Sequence, residues 1–210
     1  MSVSKLIIAI GNPGTEYENT RHNIGFQVLD AFGEKYQIEG KQEDKLSSWY
    51  GKSKVNIENA VYDLILGWPT TFVNNSGEAV VKLLHWFKLK PKDLIVVHDD
   101  VALNLGKIRI GFNSGAAGHH GVESIIQMLG GIQEFTRLRV GVGPDPGGDK
   151  RKDYVLKKFV SGENKLVKKV IDLSMSVLET IITKDVGEAM NRFNGMELSD
   201  EEACKDAKTG

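Results

Sequence analysis

"LIVVHDDVALNLG", residues 94–106, decides how the chain is to be read. Four apolar residues, three of them β-branched, give way at once to three ionisable side chains, His98, Asp99 and Asp100. A short unbroken apolar run that ends this sharply suits a strand buried on both faces. The ionisable group then stands at the strand's carboxyl end, where open α/β sheets gather their sites. A second run of the same kind, KLIIAI at 5–10, stops in the turn GNPG at 11–14.

Working outward, the pattern alternates between strand and helix. Ile24, Val28, Leu29, Phe32 and Tyr36 recur at helical spacing. Residues 47–68 carry aromatic and β-branched segments with turn residues between them, expected as two strands or a hairpin. Val80, Leu83, Leu84 and Phe87 predict a helix opened by Ser76 and stopped by Pro91. Further strands are expected at 106–110 and 138–143, with a short helix after the histidine-bearing loop 111–121. Leu166, Val170, Leu173, Val177 and Ile181 predict a long helix over 163–184, and a last short helix is expected to end at Gly195. This order predicts an α/β fold: a single domain over 1–195 whose central twisted sheet is mixed, largely parallel, and flanked by helices. Residues 196–210 are expected as a polar, disordered tail.

Composition narrows the class. With 210 residues, 40% hydrophobic and 26% charged, the chain has the make-up of a globular domain. No apolar stretch approaches the roughly 18 residues that span a bilayer, so no membrane role is expected. The single cysteine, Cys204, excludes an intramolecular disulfide and fits a reducing cytoplasm. Net charge is −1, yet residues 150–169 hold eight Lys or Arg against two acids. Two readings of that run stay open, a solvated helix face and a patch for a phosphate backbone.

Three loops leave predicted strand ends with polar residues: 11–22, 98–104 and 111–121. The first lacks GxGxxG, and Pro13 removes a backbone donor that a pyrophosphate would need, which argues against a dinucleotide cofactor. It offers instead Asn12, Tyr17, Arg21, His22 and Asn23. An imidazole needs a carboxylate to fix its tautomer before it serves as a base near neutral pH, and Asp99 or Asp100 could supply one. A metal reading draws on His22, His98, Asp99, Asp100, His119 and His120, but none of the local ligand spacings of zinc enzymes is present. No GxSxG elbow exists, and the cysteine lies in the tail. In PTTFVNNSG, Asn74 could cap the next helix, although Ser76 serves equally well.

Taken together, IGNPGTEYENTRHNIGF, PTTFVNNSG, VVHDDVALNLGKIRI, GHHG, RLRVGVG, DYVLKKF and AMNRFNG resemble, in that order, the bacterial peptidyl-tRNA hydrolase family. The resemblance runs from Lys5 to about Gly195. It implies metal-independent hydrolysis, without a cofactor, of the ester joining a nascent peptide to the 3′ ribose of tRNA, by a cytoplasmic monomer. It also implies roles by motif: His22 as general base, Asp99 as the carboxylate behind it, and Asn12 reading the first peptide group. Tyr17, Phe72 and Asn74 would contact the tRNA end and the peptide, and Arg139 a tRNA phosphate. Two positions depart from the family pattern. The loop usually reads G-H-N-G, but His120 stands where the substrate-holding asparagine is expected. Gly111 falls where a second phosphate-binding basic residue is expected, with Lys107 and Arg109 nearby. A non-catalytic RNA-binding relative and a metal-dependent hydrolase are the alternatives.

Overall fold

In the computed structural model, which describes residues 4–199, the two apolar runs are neighbouring central strands. The strands are β1 (Ser4–Ala9), β2 (Lys41–Glu43), β3 (Ser48–Ile57), β4 (Ala60–Pro69), β5 (Leu94–Asn104), β6 (Ile108–Phe112) and β7 (Thr136–Gly143). They form one sheet in the order β2-β3-β4-β1-β5-β7-β6. The middle four, β4, β1, β5 and β7, run parallel, while β2, β3 and β6 are antiparallel additions at the two sides.

Alternation along each strand explains the unbroken apolar runs. Ile7, Ala9, Ile95, Val97, Leu138 and Val140 face a core shared with α1 (Ile24–Lys35), α5 (Asn164–Thr183) and α6 (Val186–Phe193). Leu6, Ile8, Leu94 and Val96 face a second core completed by α2 (Ser76–Trp86) and α3 (His120–Met128). Each fully buried Leu, Ile or Phe contributes about 1.5–3 kcal/mol of transfer free energy. No helix among the described residues is long and apolar enough to cross a membrane.

Several boundaries differ from those expected. The α2 helix stops at Trp86, well before Pro91, because Lys88 takes a left-handed conformation (φ 55°). Lys88 N then donates to His85 O at 3.1 Å and Leu89 N to Leu84 O at 2.8 Å, a Schellman closure that leaves proline nothing to terminate. Ser76 does not cap the helix in the expected sense; its Oγ donates to Val73 O at 2.8 Å. The basic run contains a helix of its own, α4 (Lys150–Val155), which carries no apolar period to announce it. Of the segment from 196 onward, Glu197 forms an antiparallel bridge with Lys107, and Leu198 N donates to Gly106 O at 3.0 Å. Residues 200–210, with Cys204, lie outside the described residues.

Two details fix the site's framework. Gly25 lets α1 start directly over the strand ends: a Cβ there would lie 2.7 Å from Val97 O and 3.0 Å from Ile10 O. At the opposite edge, the Asn194 side chain takes Ile110 N at 2.8 Å and donates to Ile110 O at 3.0 Å, satisfying the exposed edge of β6.

Candidate active site

The first strand, β1, stops at the level of Val97 while β5 and β7 run on past it, and the segments beyond this step enclose a cleft of about 880 Å³. Its lining includes Asn12, Tyr17, His22, Phe72, Asn74, Asp99, His120 and Arg139, so the structure brings all eight expected residues to one place. It arranges them unequally.

At the centre is Asp99, buried midway along β5, two residues past the point where β1 stops pairing with it. A single oxygen, Oδ1, faces two imidazoles: His22 Nδ1 at 2.7 Å and His119 Nε2 at 3.0 Å. His119 caps α3, and its Nδ1 accepts from Val122 N at 3.4 Å, so its proton sits on Nε2 and points at the carboxylate. His22 likewise donates Nδ1–H to the carboxylate, which leaves the Nε2 lone pair as the basic position. Burial alone would raise the Asp99 carboxyl; the facing imidazoles, His22 first and then His119, outweigh it and hold the group well below the usual carboxylate range. Burial alone would lower His22, but the charge and hydrogen bond of Asp99 offset it and raise the imidazole above its ordinary value.

Strand alternation separates the two adjacent acids. Asp100 turns to the other face, where Oδ2 accepts from Arg139 Nε at 2.7 Å and pairs with its Nη2 at 2.6 Å. Asp99 is therefore the carboxylate that reaches His22. His98 donates Nδ1–H to Asp99 O at 2.8 Å and packs edge-on against His119 at 4.6 Å. Burial keeps His98 neutral, its pKa well below the ordinary value.

Asn12 is held from two sides. Its backbone N donates to Asn23 Oδ1 at 2.9 Å and its carbonyl accepts from Asn23 Nδ2 at 3.0 Å. Its own Oδ1 accepts from Val73 N at 3.1 Å, which fixes the amide and leaves Nδ2 as a donor in the cleft wall. The Tyr17 and Phe72 rings meet edge-to-face at 6.3 Å, and Phe72 is 56% exposed. Asn74 is exposed and has no side-chain partner among the described residues. His120 stands apart from its neighbour: its side chain is 77% exposed on the rim and meets Glu123 Oε2 at 2.9 Å.

Of the wider ligand set considered for a metal, only His22, Asp99 and His119 converge, their donor atoms within 4.8 Å of one another. The shared oxygen already accepts two N–H groups at hydrogen-bond distance, and the remaining nitrogen of His119 is committed to Val122. The arrangement fits proton-donating imidazoles on one carboxylate better than three ligands turned towards an ion.

Sequence reasoning named the central pair but missed the rest of its support. His119 was considered only as a possible metal ligand, and only its place at a helix start between glycines hinted at a fixed orientation. Arg21 and Asn23, grouped with the cleft residues, are buried and turned to structural partners. Near Gly111, Lys107 is engaged by Glu197 at 3.0 Å, while Arg109 lies directly across the strand pair from Arg139.

An imidazole oriented by a buried carboxylate, beside fixed amide donors at the carboxyl ends of a mostly parallel sheet, is equipment for acid–base chemistry in an α/β protein. The family model for peptidyl-tRNA hydrolase matches residues 6–202, and the chain belongs to that family. A peptidyl-tRNA hydrolase of Clostridium beijerinckii is 41% identical over 194 residues, covering 92% of this chain and 97% of that protein. One from Syntrophomonas wolfei is 40% identical over 190 residues, 90% of this chain and 100% of its own length. The crystal structure of the Acinetobacter baumannii peptidyl-tRNA hydrolase superimposes with a TM-score of 0.84 at 34% identity, covering 94% and 97% of the two chains.

Proposed function

We propose that the chain, as a cytoplasmic monomer, hydrolyses the ester between a nascent peptide and the 3′ ribose of tRNA. The attacking water is activated by neutral His22, without metal or cofactor. The observation that carries this reading is the 2.7 Å bond from His22 Nδ1 to Asp99, which turns the basic nitrogen to the water's side. Water loses a proton to Nε2 as its oxygen attacks the ester carbonyl, and the imidazolium that forms is stabilised by Asp99. Asn12 Nδ2 donates to the peptide group next to the ester, which an unblocked aminoacyl end lacks. Tyr17, Phe72 and Asn74 hold the peptide and the terminal nucleotide, with Asn74 free to donate to developing charge. The ribose oxygen then leaves with the proton that His22 took up.

The tRNA body is placed on the basic side. Lys152 and Arg151 of α4 line the cleft with Arg139, Arg151 paired with Asp145 and Arg139 with Asp100. If about three phosphates are neutralised there, affinity for deacylated tRNA should fall roughly tens-fold between 50 and 200 mM salt. Flat salt dependence in a filter-binding series would remove α4 from the interface. The direct test of activity is release of the acyl group from N-acetyl-aminoacyl-tRNA compared with the unblocked form. Release from the blocked form alone is expected; binding without release would mark an RNA-binding relative that has lost the chemistry.

His120 bears on substrate handling. A neutral imidazole offers one donor and one acceptor, against an amide's two donors and an acceptor. Its ring is solvated, so nothing in the core depends on it. His120→Asn is expected to keep or raise kcat/KM. A large loss would mean that the loop is built around the imidazole and Glu123.

A further inference from the structure

The residue beside the base, Arg21, is a cation withdrawn from solvent and does not itself line the cleft. Its guanidinium lies between two aromatic faces, 4.7 Å from the Tyr154 centroid and 4.8 Å from that of Phe159. Nη2 pairs with both carboxylate oxygens of Glu163, at 2.7 and 2.6 Å, and Nη1 donates to Lys158 O at 2.6 Å. Two backbone ties run in parallel: Arg21 N donates to Lys157 O at 3.0 Å, and Thr20 bridges Lys158. The partners are equally anchored. Tyr154 of α4 donates its hydroxyl to Val142 O at 2.9 Å, and Glu163 Oε2 also accepts from Val160 N at 2.8 Å.

This cluster joins residues more than 130 positions apart, and it joins two particular things. One is the short turn Arg21–Asn23 that carries His22. The other is the segment from α4 to Glu163, whose first turn presents Lys150, Arg151 and Lys152. A buried cation is costly unless its partners are in place, so the geometry is all-or-none rather than adjustable. A lysine could not replace it, because a single ammonium cannot hold a bidentate carboxylate, a carbonyl and two rings together.

We propose that Arg21 is the positioning residue of this site, clamping the turn that carries the catalytic imidazole to the basic segment so that both move as one body. A tRNA seated on α4 is thereby held in register with His22 Nε2, and the ester arrives within reach of the activated water. The inference rests on the substrate reading given above.

The test uses Arg21→Lys, Glu163→Gln and the double variant, assayed on N-acetyl-aminoacyl-tRNA with thermal melting as the check on folding. Loss of register by about 1 Å costs up to about 10²-fold in rate, so kcat is expected to fall 10- to 100-fold, an estimate on that same basis. Affinity for deacylated tRNA should stay at the wild-type value, since every basic side chain of α4 remains. The double variant should be no slower than the worse single one, as groups acting as a unit are not additive. Wild-type kcat in folded variants would overturn the proposal. So would weakened tRNA binding with kcat intact, which would make the clamp a shaper of the binding surface only. Phe159→Leu, which merely loosens the sandwich, replaces any variant that does not fold, and the same outcomes apply. An inactive wild-type protein would instead overturn the substrate reading, and the clamp's role with it.

Discussion

Replacing His22 by alanine is expected to lower kcat by about 10²–10⁴ while leaving the fold and tRNA affinity intact, because a positioned general base contributes about that much. The side chain stands at the cleft surface rather than in either core, so its removal leaves no large internal cavity. Asp99 keeps one of its two donors, His119 Nε2–H, and so is not left as an unpaired buried charge. A residual rate above that of free water should persist through Asn12 and Asn74, the substrate-binding amides of the proposed mechanism. Single-turnover release from N-acetyl-aminoacyl-tRNA, alongside tRNA binding, checks both halves. Near-normal release would dismiss His22 as the base.

Asp99→Asn should have an effect of similar order, with a different signature. As the proposed base, His22 works only when neutral, so kcat/KM should rise with pH through its ionisation, which Asp99 raises from the ordinary value, and level off beyond it. The amide removes both raising contributions and leaves burial, which lowers the imidazole. The acid limb should therefore move to lower pH as the plateau falls. The plateau falls because the base is weaker and because the ring can take the wrong tautomer, a combined loss of about 10²–10⁴ by analogy with histidine–carboxylate pairs elsewhere. Asparagine presents one acceptor to two N–H donors and adds an NH₂ among them, so some loss of stability accompanies it. A lower plateau with an unmoved acid limb would mean that Asp99 does not set the imidazole's basicity.

The fold was legible where the chain must bury both faces of a strand. KLIIAI and LIVV could hardly be placed anywhere but in the centre of a covered sheet, but the strand expected to end at Asp100 runs on to Asn104, so Asp99 lies midway along it. What escaped reading depended on contacts distant in sequence. His119 meets Asp99 across 20 positions, and Arg21 meets Glu163 across 142. Neither residue type announces whether its charge is solvated or buried. Arg21 looked like a cleft residue because its neighbour is one, yet in this tight turn consecutive side chains diverge. The strand β2 escaped because Lys41, Gln42 and Glu43 carry no apolar alternation, and α4 because three successive basic residues mask any face. The end of α2 was misplaced because a left-handed lysine did what glycine or proline usually does.

Two accounts of the cleft differ in what activates water: a neutral imidazole behind a carboxylate, or an ion held by His22, Asp99 and His119. The measurement that separates them most directly is the pH dependence of single-turnover release from N-acetyl-aminoacyl-tRNA, before and after exhaustive chelation. The imidazole account predicts an unchanged rate after chelation, with a single ionisation on the acid limb above pH 6.5. A rate that collapses on chelation and returns with added divalent metal would contradict it.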